Sequence, residues 1–121
     1  MCGYVGFTNN IENADSVLGS MMDKIAHRGP DSDGRFVNED ICLGFRRLSI
    51  IDLAGGDQPL YNEDGSLVLL FNGEIYNFKD IRENLLEKGH TFKTNGDGEV
   101  LLHGYEEYGK KLVSMLRGMF S

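Results

Sequence analysis

The chain has 121 residues, with 12 Lys and Arg against 19 Asp and Glu for a net charge of −7, a length suited to one domain of roughly 100–150 residues. With 40% hydrophobic and 26% charged residues, the composition is that of a chain that buries a core, not of a disordered one. No apolar run approaches the roughly 20 residues of a membrane span, and dispersed acidic charge repels phosphate backbones, so neither membrane nor nucleic acid is expected as a partner. No basic-then-apolar segment opens the chain. The two cysteines, Cys2 and Cys42, have neither metal-ligand nor Cys-x-x-Cys spacing. A cytoplasmic protein with reduced thiols is expected.

In chain order, Cys2 to Thr8 is apolar and β-branched and predicts a strand, with Gly3 and Gly6 allowing close backbone approach. Val17, Leu18, Met21, Met22 and Ile25 recur at helical spacing between Asn13 and Ile25, with Asn13 or Asp15 as the cap. Gly29-Pro30 stops that helix, because a residue before proline avoids the helical region. Strands follow at about 34–37 and 41–47, joined by an Asn38-Glu39-Asp40 turn. In the second, Cys42 reads as a small core residue. A loop spans Ala54 to Pro59, and the unbroken apolar run Leu67 to Phe71 predicts a strand covered on both faces and ended by Asn72-Gly73. Asn77 reads as the cap of a helix carrying Ile81, Leu85 and Leu86 and closed by Gly89. An extended piece at Thr91 to Thr94, a helix from about Asp97 to Tyr108 and a short one at Leu112 to Leu116 complete the pattern. Helices interleave with strands without strict alternation, so the class is α+β. Gly118 to Ser121 opens a new apolar segment, and the chain reads as a fragment cut off there.

Four features could carry chemistry. Cys2 becomes the first residue if Met1 is removed, and its own α-amine, with a pKa of about 7.7–8.0, can then take the thiol proton; the alternative is an accident of position. Asn72 and Gly73 offer a side-chain amide beside a backbone N–H, a donor pair suited to an oxyanion, or an ordinary turn. Arg46 and Arg47 close a strand, where an arginine grips a carboxylate bidentately or forms a surface pair. Asp97 sits between glycines and either binds an ammonium group or caps the next helix. His27, His90 and His103 show no metal spacing and read as structural or solvent-facing, and Gly3, Gly6 and Ala54-Gly55-Gly56 make no phosphate-binding fingerprint.

Six segments occur in order: Cys2-Gly3-Tyr4-Val5-Gly6-Phe7, His27-Arg28-Gly29-Pro30-Asp31, Arg47-Leu48-Ser49-Ile50-Ile51-Asp52, Gln58-Pro59-Leu60, Asn72-Gly73-Glu74-Ile75-Tyr76-Asn77 and Gly96-Asp97-Gly98-Glu99. Over the full length this series resembles the glutaminase domain of glutamine-hydrolysing asparagine synthetases, class II glutamine amidotransferases of the N-terminal-nucleophile hydrolase superfamily. The resemblance implies an αββα sandwich, here ending before its second sheet is complete. It implies that Cys2 attacks the side-chain amide of L-glutamine, that Asn72 and Gly73 form the oxyanion hole, that Arg47 binds the α-carboxylate and Asp97 the α-ammonium. Leu48, Ile50, Ile51 and Glu74 line the same pocket in the family. No cofactor or metal is implied for this segment; ATP and Mg belong to a C-terminal synthetase domain, which would use the ammonia to make asparagine from aspartate. The chain departs from the family at Gly96 and Gly98, which stand where hydroxyl residues or cysteine are usual. Competing readings are a glutamine-binding module without turnover, an amidotransferase part serving another acceptor, and a thiol redox protein using Cys2 or Cys42.

Overall fold

The computed structural model describes residues 2–49 and 57–121, and the chain folds as two compact units, Met1–Pro59 and Leu60–Ser121.

The first unit is an antiparallel sheet with one helix against it. Its strands β1 (Gly3–Thr8), β2 (Ser32–Val37) and β3 (Ile41–Arg47) lie in the order β1-β3-β2. The central position of β3 explains its burial: Cys42 and Phe45 are closed off from solvent. The β2–β3 hairpin turns as expected, with the Asn38 side-chain oxygen accepting the amides of Asp40 and Ile41 at 3.0 and 2.8 Å. Helix α1 (Ala14–Lys24) buries Leu18 and Met22 against Cys42, with Val5, Phe7 and Ala14 around them. Gly44 makes this contact possible, since a Cβ there would collide with the Met22 side chain at 2.6 Å. Asn13 occupies the position before α1 in a left-handed conformation without a side-chain cap bond. Asp15 lies in the first turn and pairs with Arg35 at 3.5 Å. A short 3-10 turn, Ala26–Arg28, follows α1 and ends before Gly29-Pro30.

The second unit contains two small antiparallel ribbons and three helices. Strand β4 (Leu60–Tyr61) pairs with β5 (Val68–Leu69), and β6 (Gly73–Ile75) pairs with β7 (Gly118–Phe120). Helices α2 (Phe78–Glu87), α3 (Gly98–Tyr108) and α4 (Leu112–Met115) complete it. The core joins Ile81 and Leu85 of α2 to Val100 of α3, with Phe78, Phe92, Tyr108 and Leu116 packed around. Gly104 lets α4 approach α3, because a Cβ there would meet Leu112 at 2.6 Å.

Four expectations change here. The apolar run 67–71 forms only a two-residue strand with partly buried side chains, and Phe71 alone is fully buried. Asn72-Gly73 is not a turn: Gly73 opens β6. Residues 91–94 form no regular strand, and Leu86 of α2 is exposed while Ile81 and Leu85 are buried. Among the described residues every strand pairing is antiparallel, and the architecture is mixed α and β with small sheets. Among the described residues, no helix is long and apolar enough to cross a membrane.

Candidate active site

Cys2 directly precedes β1, whose register sets Gly3 opposite Arg46 on β3. That pairing carries the half-buried thiol to the end of β3, where the Leu48 amide donates to Cys2 Sγ at 3.3 Å and the Leu48 carbonyl lies 3.7 Å from the same sulfur. These two backbone contacts from one residue fix where the sulfur sits. Neither thiol is in a disulfide.

The His27-Arg28-Gly29-Pro30-Asp31 segment holds this arrangement. Arg28 donates from Nε to the Cys2 carbonyl at 3.1 Å. Gly29 has no room for a side chain, since a Cβ would overlap the backbone of Arg46 and Arg47. The Asp31 amide donates to the Arg47 carbonyl at 3.1 Å, and its carboxylate accepts the Ser49 amide at 2.7 Å. The residues flanking Leu48 are thereby fixed by one short segment. Arg28 and Asp31 had been singled out only as part of a motif; nothing local assigns either a partner almost twenty or more residues away.

Arg47 is buried, with 8% of its surface exposed, and its Nη1 meets Asp57 at 3.0 Å. Its partner Asp57 is exposed, so the pair joins a buried guanidinium to a surface carboxylate. Arg46 bridges Asp23 at 3.1 Å and Asp33 at 3.6 Å. Ile50 and Ile51 lie outside the described residues.

Within the second unit, β6 organises the remaining candidates. Asn72 and Ser121 exchange both backbone hydrogen bonds at 2.9 Å, and the Tyr76 amide donates to Arg117 at 2.7 Å. In an antiparallel ladder such pairs recur at every second residue, so the amides of Gly73 and Ile75 turn to the opposite edge from β7. The Ile75 amide is taken there by Asp97 Oδ2 at 2.7 Å. Strand rise puts the Gly73 and Ile75 amides about 7 Å apart, so a backbone donor and a carboxylate share one strand edge. Gly73 has φ +152° and no space for a Cβ, which would overlap Met119 and Phe120. The glycine is required by β7. Asn72 is half-buried and Glu74, paired with Met119, is exposed.

Asp97 stands at the N-cap position of α3, yet its side chain makes no cap bond. The capping alternative is therefore replaced by the bond to Ile75. The loop before it is secured by Glu99, whose carboxylate accepts the amides of Lys93 and Thr94 at 2.8 and 2.7 Å and the Thr94 hydroxyl at 2.8 Å. Burial opposes the charge on Glu99, but these bonds together with His103 hold its carboxyl below the ordinary value. Where Gly96 and Gly98 lack hydroxyls, Glu99 supplies the loop's anchor. Gly98 itself faces Leu60 and Phe71, with a Cβ landing 3.1 and 3.3 Å from them.

Comparison with known proteins gives these local geometries a common context. The sequence is 50% identical, over its whole length, to glutamine-hydrolyzing asparagine synthetase 1 of Bacillus subtilis (strain 168), covering 20% of that protein. It is 44% identical over its whole length to asparagine synthetase 3 of Arabidopsis thaliana, covering 21%, and to asparagine synthetase 2 of Bacillus subtilis (strain 168), covering 17%. The chain thus spans about a fifth of the length of these curated relatives. Its residues 1–121 match the family described as the glutamine amidotransferase domain, and to that family the chain belongs.

Proposed function

We propose that this chain is the glutaminase part of an asparagine synthetase-like amidotransferase, hydrolysing L-glutamine to glutamate and ammonia through a thioester on Cys2. The observation that carries the reading is the Leu48 amide aimed at Cys2 Sγ in a chain of this family. After removal of Met1, the α-amine of Cys2 takes the thiol proton and sulfur attacks the side-chain amide carbon. The oxyanion is stabilised by the Asn72 side-chain amide and the Gly73 N–H. The α-amine returns the proton to nitrogen, the C–N bond breaks and ammonia leaves. Water, deprotonated by the same amine, then attacks the thioester, and glutamate departs as the thiol is restored.

Arg47 takes the α-carboxylate, sharing its guanidinium with Asp57, and Asp97 takes the α-ammonium. Leu48 and Glu74 are assigned to the lining of the pocket. Five N–H donors on one arginine allow such sharing. The N-terminal-nucleophile αββα sandwich is the fold this reading assigns, with a synthetase domain elsewhere in the protein using ATP and Mg to pass the ammonia to aspartate in the cytoplasm. The test pairs intact mass with turnover. The mature chain should begin at Cys2, and Cys2→Ala in the intact protein should abolish glutaminase activity while glutamine binding persists. Comparable turnover by Cys2→Ala would overturn the assignment.

A further inference from the structure

None of the histidines enters this chemistry, yet two of them meet in the second unit. His90 follows α2, and His103 lies on α3 with 2% of its surface exposed. Their rings stand 5.3 Å apart between centroids. Each turns Nε2 toward a carboxylate: His103 to Glu99 at 3.4 Å and His90 to Glu107 at 3.3 Å. Each turns Nδ1 toward Glu106 Oε2, at 3.2 Å from His103 and 3.7 Å from His90. Glu63, in the turn between β4 and β5, brings Oε1 to 3.6 Å from His103 Nδ1. One donor atom each from His90, His103 and Glu106 falls within 4.8 Å of the others.

We propose that His90, His103 and Glu106, with Glu63 as fourth donor, form a binding site for a divalent transition-metal ion, zinc by the chemistry of the donor set. Two arguments carry it. In a tetrahedral site with bonds of about 2.0–2.1 Å, neighbouring ligand atoms sit about 3.3 Å apart; three of the six edges already stand at 3.2, 3.6 and 3.7 Å, and the donors of His90, His103 and Glu106, within 4.8 Å of one another, close onto the ion as it binds, with Glu63 following from its exposed turn. Metal-bound histidines commonly donate their other ring N–H to a carboxylate, which fixes the tautomer. Here Glu99 and Glu107 occupy those positions, and Glu106 is itself held through Oε1 by the Asn62 amide at 2.7 Å. Sequence spacing conceals the set, because its members come from a turn, the end of one helix and the body of another. A metal there would clamp α3, which begins beside Asp97.

The experiment uses Cys2→Ser as background, because an N-terminal aminothiol is a zinc ligand in its own right. Titration with zinc alone should give one saturable site per chain. His90→Gln, a change at the partly exposed edge, and Glu106→Gln should each weaken it tenfold or more. Cobalt(II) added to the background protein should shift and broaden the ring resonances of His90 and His103, a readout that needs no further variant to fold. Absence of a saturable site, affinity unchanged by both variants, or ring resonances of His90 and His103 unmoved by cobalt would each overturn the proposal.

Discussion

Asn72 and Arg47 make the residue-scale test, because each role demands a chemical group that a close substitute lacks. An oxyanion donor matters most once charge has developed on oxygen. Asn72→Ala should therefore lower kcat by about 10²–10³-fold, the usual effect of losing one such donor, and change KM less; a pure KM effect would make Asn72 a ground-state contact. Arg47→Lys should raise the glutamine KM and recover little of the activity lost in Arg47→Ala, since an ammonium lacks the two-pronged geometry. Burial of Arg47 beside Asp57 adds a second consequence: Arg47→Ala leaves Asp57 without its partner, so thermal stability is measured alongside the kinetics. The sequence exposed these residue types plainly. It could not expose Asp57 as a partner, because an acidic residue in a polar loop is unremarkable until the chain returns to β3. Asn77 makes the same point. It sits before α2 as expected, but its amide bonds Met115 and Arg117, 2.9 Å each, not the helix start.

At the scale of elements, local pattern marks where chain segments begin and end, and long-range pairing decides what their ends do. The periodicity of α1, α2 and α3 and the alternation of β1 and β3 are visible because each is a property of adjacent residues. Gly73 reads locally as a turn former, and only β7, whose Phe120 faces it, makes it a strand residue. Gly73→Ala should thus strain both φ and the β6–β7 contact, destabilising the second unit by about 1–3 kcal/mol, seen as a lower midpoint in thermal unfolding. An unchanged midpoint would mean that β6 accepts a side chain and that the glycine is there for another reason. Glu99 has a comparable place. Glu99→Gln puts an amide donor where an acceptor serves Lys93 and Thr94, costing about 1–3 kcal/mol for the unsatisfied groups. Hydrogen exchange should quicken at those two amides more than at the β6–β7 ribbon; uniform acceleration would make Glu99 a general stability residue instead of an anchor for the loop before Asp97.

For the whole molecule, composition and charge bounded the class, and the ordered motifs pointed to the family, but the division into Met1–Pro59 and Leu60–Ser121 is not written in any linker. No stretch rich in proline and serine marks it; the two units arise because α1 finds its apolar partner on β3, and α2 finds its own on α3. Glutamine presents one carboxylate and one ammonium at its α-carbon, and each charge can be removed from the substrate as well as from the protein. Arg47→Ala should lose most of the preference for glutamine over its α-carboxamide analogue, because the missing charge no longer has a partner to leave stranded. For Asp97 the useful variant is Asn, which keeps an oxygen to accept the Ile75 amide while removing the charge, so that β6 is spared. Asp97→Asn should lose preference over the analogue lacking the α-amine and keep its discrimination against the carboxamide. Both variants should also lower kcat, since contacts at the α-carbon align the remote amide for attack. Wild-type discrimination retained by both variants, Arg47→Ala still rejecting the carboxamide and Asp97→Asn still rejecting the analogue without the amine, would return Arg47 to a structural partner of Asp57 and Asp97 to a brace for β6.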